Sequence, residues 1–296
     1  MVPTGHRTAI VGLGQMGRGI ARKLDSQQVL VAAGDLDEET FAAAGLSDRV
    51  QNLKIEQLLS VADIILFAVP STEQVAQILE SNHDLEGRVV VDLTTSHPAQ
   101  SQALDKALEA MGAAYTDAAM TGGAAGADAG TLTLMVGGAD QTVQRCMATF
   151  DVIASKIFHL GPVGAGHAMK LVHNLILHSN FMATCEGLRL ADHAGIDLNR
   201  AVEVLNAGNA RSFVTDTRFP RDILSGSMMA RSQISNLEKD LGLAQQFGEE
   251  LEARIPYTTM TRSILAEALR AGHAQADFSH LFPLYEKLVD RLKEDR

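Results

Sequence analysis

From residue 7 to about residue 160 the chain alternates short apolar runs with longer segments that mix apolar and polar positions at helical spacing. That alternation belongs to an α/β arrangement, a mostly parallel sheet flanked by helices. It predicts strands over 7–11, 29–34, 63–69, 88–92, 113–116, 131–136 and 156–160. Ile64-Ile65-Leu66-Phe67-Ala68-Val69 contains no polar residue, as expected of a strand covered on both faces. The run stops at Pro70, so Val69 and Pro70 open a loop at the carboxyl edge, where such sheets hold ligands. Val89-Val90-Val91-Asp92 ends in the same way, giving way to Leu93-Thr94-Thr95-Ser96-His97-Pro98.

Beyond the glycine-rich stretch 161–166 the strand signal fades and helix formers dominate to residue 296. Residues 166–194 read as one long helix without proline. Its apolar positions, among them Met169, Leu171, Val172, Leu175, Ile176, Phe181, Met182, Leu188 and Leu190, spread around most of its circumference, which predicts burial. Two arrangements satisfy that: a central helix joining two domains, with the helical half supplying a dimer surface, or a helix buried within its own domain.

A length of 296 residues suits two domains, and 46% hydrophobic with 21% charged residues describes a globular chain with an ample core. The net charge of -11 argues against partners that need a basic surface, nucleic acid and anionic membrane among them. No run approaches the ~20 apolar residues of a membrane span, and the start Met1-Val2-Pro3-Thr4-Gly5-His6-Arg7 has no apolar signal region. Cys146 and Cys185 stand far apart without CxxC spacing, so neither a disulfide framework nor a metal site is expected. Buried thiols in the cytoplasm are the expectation.

The most informative local motif is Val11-Gly12-Leu13-Gly14-Gln15-Met16-Gly17, set between an apolar run and a helix-like segment. Glycines at this spacing permit a tight turn, bring a pyrophosphate onto bare N–H groups at a helix N-terminus, and let helix and strand pack closely. A second apolar run ends in Asp35, 18 residues after Gly17, where an acid takes both hydroxyls of an adenosine ribose. Leu36-Asp37-Glu38-Glu39 adds negative charge and no Arg or Lys, which disfavours the 2′-phosphate of NADP and points to NAD. Further on, Lys170 and Asn174 are four residues apart and share one helical face. An ammonium there can protonate an alkoxide as hydride arrives, and an amide can hold the oxygen. Thr121-Gly122-Gly123 exposes backbone N–H groups suited to a carboxylate. Leu237-Glu238-Lys239-Asp240-Leu241 places a further lysine on a helix, locally no more than a surface Lys-Asp pair.

Together these blocks resemble the β-hydroxyacid dehydrogenase family, whose members include 3-hydroxyisobutyrate dehydrogenase and 2-hydroxy-3-oxopropionate (tartronate semialdehyde) reductase. Six segments carry the resemblance: 12–17, 92–98, 117–123, 130–138, 164–174 and 239–241. It implies a Rossmann domain over 1–163, an all-helical substrate and dimerisation domain over 164–296, and a homodimer or homotetramer acting on a small anionic hydroxy acid or its semialdehyde. By matching position, Lys170 resembles the catalytic acid/base and Asn174 its substrate-orienting partner. Thr121, Gly122 and Gly123 resemble the loop that grips the substrate carboxylate. Lys239 and Thr95 resemble cofactor contacts, and Arg211 falls where the family lines the distal end of the substrate pocket. The family commonly has serine where this chain has Thr121, which keeps the hydroxyl and narrows the pocket. Imine reduction and a non-catalytic dinucleotide-binding interaction module are the competing readings. Both groups typically lack the lysine that stands here as Lys170.

Overall fold

The computed structural model describes residues 6–80 and 85–294, without the side chains of Glu38 and Glu294. Residues 1–5, read above as lacking a signal region, and the Glu38 carboxylate of the acidic run lie outside the described part. The chain divides into two compact units between Lys170 and Leu171.

In the first unit, eight strands form one sheet: β1 (Thr8–Val11), β2 (Leu30–Gly34), β3 (Gln51–Asn52), β4 (Ile64–Phe67), β5 (Val89–Asp92), β6 (Ala114–Thr121), β7 (Leu132–Gly137) and β8 (Ala154–His159). Their spatial order is β3-β2-β1-β4-β5-β6-β7-β8. β1 to β6 are mutually parallel, β7 runs antiparallel to β6, and β8 follows β7. Helices α1 (Gln15–Ser26), α2 (Glu38–Ala44), α3 (Ile55–Val61), α4 (Thr72–Glu80), α5 (Pro98–Glu109), α6 (Gly123–Ala129) and α7 (Asp140–Ile153) connect the strands. Alternate strand residues feed opposite layers. Ile10, Ile64, Leu66, Val89 and Val91 pack in one core, while Ala9, Val11, Ile65, Phe67 and Val90 pack in the other. Burial on both faces is why these strands read as continuous apolar runs.

Three expectations change. β3 is two polar residues paired to Ala32 and Ala33, too short and too polar to leave a hydrophobic signal. β4 stops at Phe67 rather than residue 69, and Ala68 N–H still donates to Val11 O at 2.9 Å before the chain leaves the sheet. β6 continues from the predicted end at 116 to Thr121, because antiparallel β7 pairs with it from Asp117↔Gly137 to Thr121↔Thr133.

In the second unit, α8 (Ala165–His193), which begins in the first, is followed by α9 (Leu198–Ala207), a π-helical segment over 214–224, α10 (Ile234–Glu250), α11 (Pro256–Arg270) and α12 (Leu281–Glu294). The core is aromatic. Phe181 meets Phe278 edge-on at 5.0 Å, and Phe219 meets Phe282 in the same way at 5.2 Å, the quadrupole-favoured geometry. The expected burial of α8 holds for Leu171, Phe181, Met182 and Leu188 but not for Met169, Val172, Ile176 and Leu190, which are 39%, 42%, 52% and 70% exposed. Val172, Ile176 and Leu190 recur at helical period on one face that the chain's own core does not cover.

The start of α8 is set by a residue far away in sequence. Asp117 at the middle of β6 is fully buried, and its carboxylate accepts from Gly164 N–H at 2.7 Å and from His167 N–H at 2.8 Å. It thereby satisfies two of the donors that a helix N-terminus leaves unpaired. Burial pushes the Asp117 carboxyl above its ordinary 3.8, against the opposing pull of His167 and the two N–H groups. His167, fully buried, is held through Nδ1 by the Ser101 hydroxyl at 2.6 Å. An unsatisfied buried donor costs about 1–3 kcal/mol, so D117A is expected to lower the urea unfolding free energy by on the order of 2–5 kcal/mol. A carboxyl whose folded pKa lies above its unfolded one binds a proton on folding between the two, so the wild-type advantage shrinks as pH rises from 3.8 through the raised value.

Candidate functional site

The carboxyl ends of the central strands are level. Val11 is in register with Gly34 and with Phe67, Phe67 with Asp92, and Asp92 with Asp117. Gly12, Asp35, Val69, Pro70 and Thr95, each within three residues of one of these strand ends, therefore emerge along one edge of the sheet. The order reverses at β1, with β2 on one side and β4 on the other. Doubly wound sheets bind ligands at this switch point.

The three glycines have three different physical reasons. Gly12 takes φ +95°, and a Cβ there would lie 2.6 Å from the Ala68 carbonyl oxygen and 3.1 Å from Val69 Cγ1. Any side-chain carbon on Gly17 would collide with the Gly12 carbonyl oxygen. Gly14 differs: it is exposed, and nothing lies within 4 Å of where its Cβ would stand. Packing does not require that glycine, so the space it leaves is available to a ligand. Gly14 also precedes α1, whose first turn, beginning Gln15-Met16, carries no acidic side chain or side-chain cap. Gln15 is exposed and Met16 half-buried against the core. Asp35 accepts from Leu13 N–H at 2.6 Å and from Asp37 N–H at 3.1 Å. Two of its roughly four lone-pair positions are used, leaving two for ribose hydroxyls. Asp37 meanwhile caps α2, accepting from Glu39 N–H at 3.0 Å. A cradle open at Gly14, first-turn N–H groups and a half-satisfied Asp35 fit a dinucleotide.

Thr95 sits half-buried on a loop braced from below. Asp92, fully buried, accepts from the Thr72 hydroxyl at 2.6 Å, the Tyr115 hydroxyl at 3.0 Å and Thr94 N–H at 2.9 Å. Burial, with the charges of Asp92 and Asp117 added, drives the Tyr115 pKa far up, so that hydroxyl stays a donor. Thr121 ends β6, and Gly122 and Gly123 follow exposed, at φ +125° and +65°. These left-handed conformations give the glycine pair a backbone reason beside any anion-binding one.

Along α8, Lys170 is half-buried and Asn174 one turn later is 4% exposed. Asn174 Nδ2 donates to Asp240 Oδ2 at 2.7 Å, and Asn174 Oδ1 lies 3.0 Å from His173 Nδ1. Asp240 Oδ1 is 3.2 Å from Lys239 Nζ. α10 thus brings Lys239 and Asn174 onto the two oxygens of one carboxylate. Arg211 is exposed and pairs with Asp216 at 3.2 Å. Sequence reasoning overlooked Asp92 and Asp240 as site-building groups and took Asp117 only as part of a loop. An acid ending an apolar strand was the signal for the first and third; Asp240 had none beyond its neighbour. Among the described residues no group of three or more His, Cys, Asp or Glu could hold a metal ion, and no helix is long and apolar enough to cross a membrane.

Residues 7–161 match the family model for the NAD-binding domain of 6-phosphogluconate dehydrogenase, and residues 164–285 that for the NAD-binding domain of NADP-dependent 3-hydroxyisobutyrate dehydrogenase. The chain is 29% identical over 288 residues to 2-(hydroxymethyl)glutarate dehydrogenase of Eubacterium barkeri, covering 96% of each chain. It is 27% identical over 292 residues to 2-hydroxy-3-oxopropionate reductase of Escherichia coli, covering 96% of this chain and 98% of that one. Among solved structures it is similar to the 3-hydroxyisobutyrate dehydrogenase of Mycobacterium tuberculosis solved with L-serine, with a TM-score of 0.86 at 25% identity over 95% of this chain and 99% of that one.

The contrast at the glycine turn is testable. G14A is expected to unfold at the wild-type denaturant midpoint while losing NADH affinity in a fluorescence titration. G17A is expected to lower the midpoint itself. The two models between them match residues 7–161 and 164–285: the chain is a member of the β-hydroxyacid dehydrogenase family, oxidoreductases that bind NAD(P).

Proposed function

We propose that this protein is an NAD-dependent dehydrogenase of a small 3-hydroxy acid or, in the opposite direction, a reductase of its semialdehyde. The observation that carries the reading is Lys170 with Asn174 one turn apart, on a helix whose start is pinned by Asp117. The compounds named with the similar proteins support it. 2-(Hydroxymethyl)glutarate, 3-hydroxyisobutyrate and L-serine share a primary alcohol whose carbon is bonded to the carbon bearing a carboxylate, and 2-hydroxy-3-oxopropionate is an aldehyde at the same position.

NAD, held by Gly12, Gly14, Gln15, Met16, Gly17, Asp35, Val69, Pro70, Thr95 and Lys239, supplies the hydride acceptor. Thr121, Gly122 and Gly123 bind the substrate carboxylate through hydroxyl and backbone N–H. Asn174 holds the substrate oxygen. Lys170 Nζ takes the hydroxyl proton as the carbonyl forms and returns it to the alkoxide in reduction. Arg211 serves as contact for a second anionic group, exchanging Asp216 for that group. The exposed face of Val172, Ile176 and Leu190 is covered in a homodimer or homotetramer, and the two buried thiols, Cys146 with its pKa pushed by burial to about 12, suit the cytoplasm.

K170A is expected to lower kcat by about 10²- to 10⁴-fold, the typical worth of general acid catalysis, with NADH affinity unchanged in titration. On a panel of 3-hydroxyisobutyrate, glycerate, L-serine and 2-(hydroxymethyl)glutarate, kcat/KM is expected to favour NAD over NADP throughout. R211A is expected to raise KM for the dicarboxylate alone, since only that substrate loses a charge-assisted hydrogen bond of roughly 1.5–3 kcal/mol.

A further inference from the structure

Asp240 stands at the centre of a short polar chain. One carboxylate oxygen takes the Asn174 amide N–H at 2.7 Å, and the other faces the Lys239 ammonium at 3.2 Å. A carboxylate only accepts, so the end of the Asn174 side chain turned toward it is the NH₂ end. The carbonyl end therefore faces His173, 3.0 Å from Nδ1, and that nitrogen carries the proton. Both ends of the amide are thus committed: one N–H is spent on Asp240, and one N–H remains to offer a ligand. Asn174 is 4% exposed and the Asp240 side chain 14%, so water competes little for this bond.

We propose that Asp240 is a positioning residue. By accepting from Asn174 it fixes which edge of the amide the substrate oxygen meets. This rests on the reading of Asn174 as a substrate-orienting group and adds to it a residue that acts through Asn174 without touching substrate. A hydrogen bond to a charged, partly desolvated group is worth enough that its loss shows clearly in rate. Without it the amide keeps its His173 contact but loses the anchor of its NH₂ end, and the second N–H is offered to the site for only part of the time.

The test is a double-mutant cycle. D240A, N174A and D240A/N174A are assayed for kcat with whichever acid of the panel above gives the highest kcat/KM, alongside NADH affinity and thermal midpoint. In the wild-type background D240A is expected to lower kcat on the order of 10-fold. In the N174A background it is expected to change kcat by less than about twofold, the margin that independent sites show. Equal losses in both backgrounds overturn the proposal, because Asp240 would then act without Asn174. If D240A does not fold, D240N decides. It is isosteric and keeps an acceptor for the Asn174 N–H, so kcat within about twofold of wild type supports positioning through that bond, and any larger loss overturns it. An impaired N174A beside an unimpaired D240A overturns this inference alone, whereas an N174A of undiminished kcat removes Asn174 from the site and takes both readings with it.

Discussion

The buried carboxylate of Asp117 decides where α8 begins, and through the first turns of the helix it decides where Lys170 lies. A helix turns by a fixed angle per residue, so shifting its first residue by one position would carry every side chain about 100° around the axis. The cap prevents that shift by engaging two specific N–H groups, those of Gly164 and His167. The surroundings are built to admit it. A Cβ on Gly137 would lie 2.6 Å from Asp117 Oδ1, and one on Gly166 would lie 2.8 Å from Oδ2. At Gly137 the carboxylate is the nearest obstacle, and at Gly166 it adds to the Met135 carbonyl oxygen, which a Cβ would approach more closely still. The cost is visible in the raised pKa of Asp117, which records a charge kept from water for the sake of geometry.

The same device recurs at the neighbouring strand end. Asp92, in register with Asp117, is buried and receives Thr72, Tyr115 and Thr94, and so holds the loop that carries Thr95. Asp35 ties the glycine turn to the end of β2 through Leu13. Asp240 does the corresponding work in the helical unit. Four acids thus brace backbone or amide groups beside residues given binding or catalytic roles. In a chain of net charge -11 their carboxylates are a structural resource as well as a surface property. Buried acceptors of this kind are directional, and apolar packing alone is not.

Glycine spacing carries less information than glycine environment. Gly12, Gly14 and Gly17 look alike in sequence. One is required by its φ and by Ala68, one by helix packing, and one by nothing within the protein. Only the last is explained by a ligand. The pair Gly122-Gly123 shows the reverse ambiguity, since positive φ at both accounts for glycine before any anion is considered.

Sequence alone determined the alternating α/β half, the helical half, the glycine turn with its acid and the helix that bears Lys170 and Asn174. Those features follow from local periodicity and from motif spacing, which short-range sterics and hydrogen bonding dictate. Three things were decided only by tertiary structure. The extension of β6 to Thr121 depends on pairing with β7, and the two-residue β3 exists only because Ala32 and Ala33 offer it an edge. The outward face of α8 at Val172, Ile176 and Leu190 depends on which side the rest of the unit packs, and apolar composition around the whole helix cannot reveal that. The bond from Asn174 to Asp240 joins residues 66 positions apart. No periodicity connects such a pair, because the distance between them is set by the packing of two helices and not by the chain between them.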